Sequence, residues 1–174
     1  MDPAAAAAGE NGSSVALGAV SGLPSSNVLV PVLWQPSPSD VKIGSISAAI
    51  RFENKSVAFV KGEKGFLLDG VNANFKTEIK NDPGDSSHTV LQLEIATQGE
   101  PRKALRDGLL MTLVFHIDEK AQAKSKVDLE LAKVSGTDLS APPKPVQPLT
   151  GQKGSIEILP PEQAPYVPCF FFTH

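Results

Sequence analysis

Between Ile43 and Phe52 the chain reads Ile-Gly-Ser-Ile-Ser-Ala-Ala-Ile-Arg-Phe, with Ile46, Ala48, Ile50 and Phe52 at every second position. Successive side chains of an extended strand point to opposite faces. One face of this stretch is therefore built for a core. The other carries Ser45, Ser47, Ala49 and Arg51, a small and weakly polar row that leaves room for something to lie on it. This pattern predicts a central strand of a two-layer sandwich. A turn at Glu53-Asn54-Lys55-Ser56 leads to a short apolar strand from Val57 to Val60.

The same period returns along the chain. Leu91, Leu93 and Ile95 alternate with Gln92 and Glu94, and Phe75, Thr77 and Ile79 alternate with polar neighbours. Leu109, Met111, Leu113, Phe115 and Ile117 form a long core strand, and Val127, Leu129 and Leu131 form another. Val15 to Val20, Asn27 to Trp34, Phe66 to Leu68 and Ser155 to Leu159 add further strands. Pro31 cannot donate to a ladder, so its strand is expected to have an edge position or a bulge there. Between strands lie turn compositions: Ser21 to Ser26, Gln35 to Asp40 and Asn81 to Ser86. Pro101 to Asp107 reads as one helical turn, since proline is tolerated at a first helical position. Ala141 to Pro148 is expected to be stiff and extended. The fold class is all-β: an antiparallel β-sandwich with jelly-roll topology and about nine strands. Residues 1–13 read as a disordered leader, 14–159 as the sandwich, and 160–174 as a Pro-rich linker and tail.

Bulk properties exclude several function classes. A net charge of −3 supplies no basic field for nucleic acid or an anionic membrane. No run approaches the roughly 20 apolar residues that span a bilayer as a helix. The start, Met1-Asp-Pro-Ala-Ala, lacks the basic segment of a secretory signal. Three histidines without metal-ligand spacing and a single cysteine give no metal site. His116 falls on the outward side of its strand and reads as a surface histidine. Asn81, Asp82 and Asp85 resemble half of a calcium loop, but Gln92 stands where the bidentate glutamate belongs, so they read as turn residues. No phosphate cradle and no nucleophile elbow is present. The chain reads as neither an enzyme nor a cofactor binder.

Taken in order, several segments resemble a cohesin-type domain, of the jelly-roll group that also holds cellulose-binding modules. They are Val28-Leu-Val-Pro-Val32, Ile46 to Phe52 followed by Glu53-Asn54, and Val57-Ala-Phe-Val60 with Gly62. Asp107-Gly108-Leu-Leu-Met-Thr-Leu-Val-Phe115 and Gly154-Ser-Ile-Glu-Ile158 complete the set. The resemblance runs from about Val15 to Leu159. It implies a non-catalytic protein–protein module whose outward sheet face receives a dockerin or another secreted or envelope partner. The expected setting is extracellular or at the cell envelope, with no signal peptide visible in the chain. In the family, a polar Asn and Asp on the strand after the first loop lead the contact. The matching positions here are Ser45 and Ser47, which keep hydroxyls and lose the carboxylate. The implied docking residues are Ser45, Ser47, Ala49, Arg51, Gln92 and Glu94, against the plain alternative of a solvated face.

A carbohydrate-binding module of a polysaccharide-degrading system is the alternative. Such modules stack sugars on several exposed flat rings. Trp34 and Tyr166 are the only Trp and Tyr, and Trp34 reads as a core or rim plug. A hydrolase would need two carboxylates flanking a cleft. The segment Tyr166-Val-Pro-Cys-Phe-Phe-Phe-Thr-His174 sets Phe170, Phe171 and Phe172 beside the lone Cys169. Exposed apolar clusters of this kind are costly unless covered. Three readings stand: a tail folded back on the sandwich, a tail inserted into a partner or membrane edge, or lipidation, sorting or pairing at Cys169. Cys169 is sixth from the end, which excludes prenylation. An interaction or processing tail is the preferred reading.

Overall fold

A computed structural model describes residues 12–37 and 41–162. Among them the chain forms eleven strands and one helical turn. These are β1 (Ser13–Leu17), β2 (Ala19–Gly22), β3 (Asn27–Gln35), β4 (Ser45–Glu53), β5 (Val57–Lys64), α1 (Phe66–Gly70), β6 (Ala73–Asn81), β7 (His88–Thr97), β8 (Gly108–Ile117), β9 (Lys126–Thr137), β10 (Leu149–Gln152) and β11 (Gly154–Ile158). They make two sheets, ordered β10-β1-β3-β8-β5 and β2-β11-β9-β4-β7-β6. The apolar positions of the alternating strands meet between the sheets, where Val30, Val32, Trp34, Ile46, Ile50, Phe52, Leu93, Leu113 and Phe115 are buried. Phe52 of one sheet meets Phe115 of the other edge-on, ring centroids 5.2 Å apart at 90°.

The strand at Ile46 to Phe52 lies where its pattern demands. β4 has a neighbour on each side, β7 and β9, both antiparallel. Eleven strands replace the expected nine because the chain breaks twice where two strands change sheet together. β1 runs parallel to β10 in one sheet, and β2 runs parallel to β11 in the other. The crossing sits at Gly18 and Gly154. A Cβ on Gly18 would lie 2.4 Å from the Pro31 ring, and one on Gly154 only 2.5 Å from the Gly18 carbonyl oxygen. Only glycine permits that approach. The single strand expected over Val15 to Val20 is therefore two strands, and the otherwise antiparallel sandwich carries two parallel pairs.

Pro31 lies in a strand with partners on both sides, yet the expectation contains its reason. β1 pairs with β3 only from Gln35 to Val32, so at Pro31 that side of the ladder has just ended. A bulge in the β3–β8 pairing follows between Val32 and Leu33. That bulge skips Leu110, so Leu110 takes the inward place and Leu109 is left half-buried on the outside.

Four local expectations are corrected. Phe66 to Leu68 is not a strand. It opens a helical turn that buries Leu68 against the core and leaves Phe66 82% exposed, because the Gly65 amide is held by the Leu110 carbonyl and the chain must turn toward β6. Pro101 to Asp107 is not a helical turn. The Leu105 amide donates to Ile43 O at 2.8 Å and the Arg102 guanidinium donates to the carbonyls of Thr97 and Gly44, contacts that hold the segment extended. Ile79 is half exposed, because β5 covers only the upper part of edge strand β6, with Gly62 set against Phe75 and Thr77. Ala141 to Pro148 bends back instead of running extended. The Asp138 amide donates to Lys144 O, the Val146 amide donates to Gly136 O, and the Asp138 carboxylate accepts from the amides of Ser140 and Lys144. Ser13, counted with the leader, is the first residue of β1 and is buried.

Candidate functional site

The outward face of β9-β4-β7-β6 is a flat polar surface whose rows follow from register. Because β4 pairs with both neighbours, each outward residue of β4 has a partner on either side. Across the four strands the rows read Thr137, Ser45, Ala96, Asn74; then Ser135, Ser47, Glu94, Lys76; then Ala132, Ala49, Gln92, Glu78; then Glu130, Arg51, Val90, Lys80. All six residues expected from sequence, Ser45, Ser47, Ala49, Arg51, Gln92 and Glu94, are thus neighbours on one face. On its β9–β4 half the middle rows are small, with Ser135, Ser47, Ala132 and Ala49, so another backbone could approach closely there.

The upper end is shaped by the bent 138–148 loop. Ser45 Oγ and Thr137 Oγ1 are 2.5 Å apart, which half-buries Ser45 and leaves Ser47 the exposed hydroxyl. Pro145 rises beside them, and with Ser47, Glu94, Ser135 and Thr137 it lines a shallow hollow of about 380 Å³.

The lower end is closed by charge. The Arg51 Nε donates to Asp82 at 2.6 Å, and the same guanidinium lies 3.3 Å from Asp85 and 3.5 Å from Glu130. The Asp82 hydrogen bond raises the Arg51 pKa, and the reciprocal bond holds Asp82 below the usual carboxylate range. Asp85 is pulled down to about 2, chiefly by the Ser87 hydroxyl and amide and then by His88. Its carboxylate accepts from Ser87 Oγ at 2.5 Å and lies 2.7 Å from His88 Nδ1. The turn residues Asp82 and Asp85 therefore tie the β6–β7 loop to β4. Arg51, one of the implied docking residues, is held by three carboxylate partners.

Sequence reasoning missed half of the face. The rows contributed by β9 and β6 depend on strand order, which no local pattern announces. In β9 the alternation also slips at Lys133, whose φ is +51°, so Ser135 and Thr137 share a face with Ala132 only because of the bulge.

Elsewhere, His116 is an exposed histidine, its Nδ1 2.8 Å from Asn27 Oδ1. Trp34 is a core residue, 1% exposed, and its Nε1 has no hydrogen-bond partner among the described residues. Cys169 and Phe170 to Phe172 lie outside the described residues. Among those described, no group of His, Cys, Asp and Glu is arranged to hold a metal ion, and no helix is long and apolar enough to cross a membrane.

Comparison with known proteins bears directly on this architecture. The cohesin domain family matches residues 13–158. No curated protein matches the chain. Among solved structures, the third cohesin of ScaC from Acetivibrio cellulolyticus, in complex with the ScaB dockerin, is 19% identical. It has a TM-score of 0.67, over 85% of this chain and 99% of that one. A non-cellulosomal cohesin from the archaeon Archaeoglobus fulgidus is 17% identical with a TM-score of 0.65, over 87% of this chain and 94% of that one. The cohesin of a type I cohesin–dockerin complex from Clostridium thermocellum is 19% identical with a TM-score of 0.64, over 86% and 95%. At these identities the structures establish the fold, and the family match covers most of the chain. The chain belongs to the cohesin domain family.

Proposed function

We propose that this chain is a non-catalytic protein-interaction module that receives a dockerin-type partner on the outward face of β9-β4-β7-β6. The observation that carries the reading is the face itself: four strands wide, with small residues along β4 and the adjoining β9. Ser47 and Glu94 face one another across β4 and β7, and the hollow beside Pro145 lies at one end. A hydroxyl where the family has a carboxylate leaves Glu94 as the charge beside that hollow. The partner's contacting surface should therefore be less cationic there than a dockerin fitted to an aspartate. Family membership, together with the likeness to a non-cellulosomal archaeal cohesin, supports an extracellular or envelope role without requiring a cellulosome.

For the carbohydrate alternative, Trp34 is the ring among the described residues that would have to serve as a stacking platform, and it reads from sequence as a core or rim plug. Its ring is inside the core, so no sugar can reach it in the folded protein.

The experiment is calorimetric titration of a panel of dockerin domains into the parent chain and into a Ser47→Arg/Ala49→Arg variant. Both positions point outward, so the fold should tolerate them. Two long cations at the centre of an interface should weaken binding about a hundredfold or more, the scale of losing a central hot spot. Failure of every dockerin to bind the parent, or equal affinity for parent and variant, would reject this face as the docking site.

A further inference from the structure

The loop that walls the upper end of the proposed docking face is tied together by one carboxylate. Asp138 Oδ1 accepts from the Ser140 amide at 3.0 Å, the Ser140 hydroxyl at 2.5 Å and the Lys144 amide at 2.9 Å. The Ser140 hydroxyl, and then the Lys144 amide, hold the Asp138 pKa below the usual carboxylate range, so at neutral pH the acceptor is charged. Charge-assisted bonds are the stronger kind. Main-chain bonds close the base of the loop. The Asp138 amide donates to Lys144 O at 2.9 Å, and the Val146 amide donates to Gly136 O at 3.0 Å. Leu139 is half-buried, and a Cβ on Gly44 would lie 2.9 Å from its Cδ2, so the loop also rests on the residue before β4.

What these contacts place is Pro145. Thr137 pairs with Ser45 on one side and forms an antiparallel bridge to Pro145 on the other. The top row of the face therefore reads Pro145, Thr137, Ser45, Ala96, Asn74, one position wider than the four strands. Pro145 is exposed and stands between two hollows. One, of about 380 Å³, opens toward Ser47 and Glu94. The other, of about 300 Å³, opens toward Val134, Gln147 and Leu149. Pro142, Pro143 and Pro148 fix φ at three further points around it.

We propose, resting on the docking reading above, that Asp138 is a positioning residue of the docking face, holding Pro145 as a preformed wall against which a dockerin-type partner packs. A contact surface that is already ordered loses little conformational freedom on binding. A proline ring on a pinned loop therefore adds affinity that the same ring on a loose loop would not. Asp138 is spent on Ser140 and Lys144, so it acts through Pro145 and need not touch the partner.

The test is a double-variant cycle on the full chain, titrated with the tightest-binding dockerin of the panel above, with each variant first shown to be folded by its urea midpoint. Pro145→Ala removes the ring and should weaken binding about tenfold. If the loop without its clamp places the ring correctly roughly one-tenth of the time, Asp138→Ala should weaken binding about fivefold, since binding without the ring stays open. Asp138→Asn keeps an acceptor oxygen in the same place and should stay within about twofold of the parent. In the Pro145→Ala background, Asp138→Ala should add less than about twofold, because no ring is left to position. Equal affinity for Asp138→Ala and the parent, or the same loss with and without the ring, would overturn the inference, while a loss in Ser47→Arg/Ala49→Arg would leave the docking face standing. A parent that binds no dockerin, or a Ser47→Arg/Ala49→Arg variant that binds as well as the parent, would overturn both.

Discussion

Replacing Phe52 with leucine tests whether the two sheets are clamped by specific aromatic geometry or by apolar bulk alone. Phe52 is the penultimate residue of β4 and is buried against Phe115 of β8, edge-on at 5.2 Å. Phe115 receives a second edge contact from Phe59 at 5.7 Å and 71°. A conservative change of one buried ring should cost about 1–2 kcal/mol in lost contacts and incomplete repacking. Aromatic pairs contribute about 0.5–1.5 kcal/mol beyond the area they bury. Phe52→Leu breaks one such pair and Phe115→Leu breaks two, so Phe115→Leu should be the costlier by about 1 kcal/mol. The double variant should be less destabilised than the sum of the singles by the energy of the shared pair, about 0.5–1.5 kcal/mol. Urea unfolding followed by the fluorescence of Trp34, the sole tryptophan and itself buried, measures all four corners of the cycle. Each kilocalorie should also lower Tm by about 2–4 °C for a chain of this size. Dockerin affinity should be unchanged in Phe52→Leu at temperatures where it is folded, because Phe52 points inward and its neighbour Arg51 points out. Additivity within about 0.3 kcal/mol, or a Phe52 cost exceeding that of Phe115, would refute the clamp.

Three further outcomes follow from particular contacts. Gly18→Ala places a methyl against the Pro31 ring, which cannot swing away. It should cost about 1–3 kcal/mol, read as a lower urea midpoint. Asp85 is held at about 2 against an ordinary 3.8. A depressed carboxylate contributes stability that is complete above 3.8 and lost as the pH falls toward 2. Urea midpoints should therefore fall over that window in the parent, and Asp85→Asn should flatten the fall. Trp34→Phe removes packing but also an indole N–H that has no partner among the described residues. An unpaired buried donor costs about 1–3 kcal/mol, so the net loss should be well under the 3–5 kcal/mol of a large-to-alanine change, as measured by thermal unfolding.

The legible parts of this molecule are those governed by the period of two. Ile46, Ala48, Ile50 and Phe52 had to face a core, and burial of all four follows from alternation plus hydrophobicity. Leu91, Leu93 and Ile95 follow the same rule. Where the rule failed, backbone geometry that alternation does not encode intervened. The bulge at Leu110 moved Leu109 outward, and Gly18 split what looked like one strand into two sheets' worth of chain. The helical expectation for Pro101 to Asp107 used a local preference. The structure overrode it with tertiary hydrogen bonds from Leu105 and Arg102, partners more than fifty residues away in the case of Ile43 and Gly44.

The proposed docking face shows the same division. Its middle was readable because alternation marks the outward residues of β4 and β7, while its flanks were not, because Ser135, Thr137, Lys76 and Glu78 join it only through strand order. Arg51 is the instructive case. An outward arginine between small residues looks like a docking group, and only the return of the β6–β7 loop reveals Asp82 and Asp85 beneath it. The consequence is a boundary. Below Ala49 the face ends in an ion-paired anchor, and above it Ser47, Glu94 and the Pro145 hollow remain open. A partner should therefore lose more affinity to Ser47→Arg alone than to Arg51→Met, even though arginine is the residue type more often found at binding hot spots. Paired titrations of the two single variants decide it, and a larger loss for Arg51→Met would move the centre of docking to the lower end of the sheet.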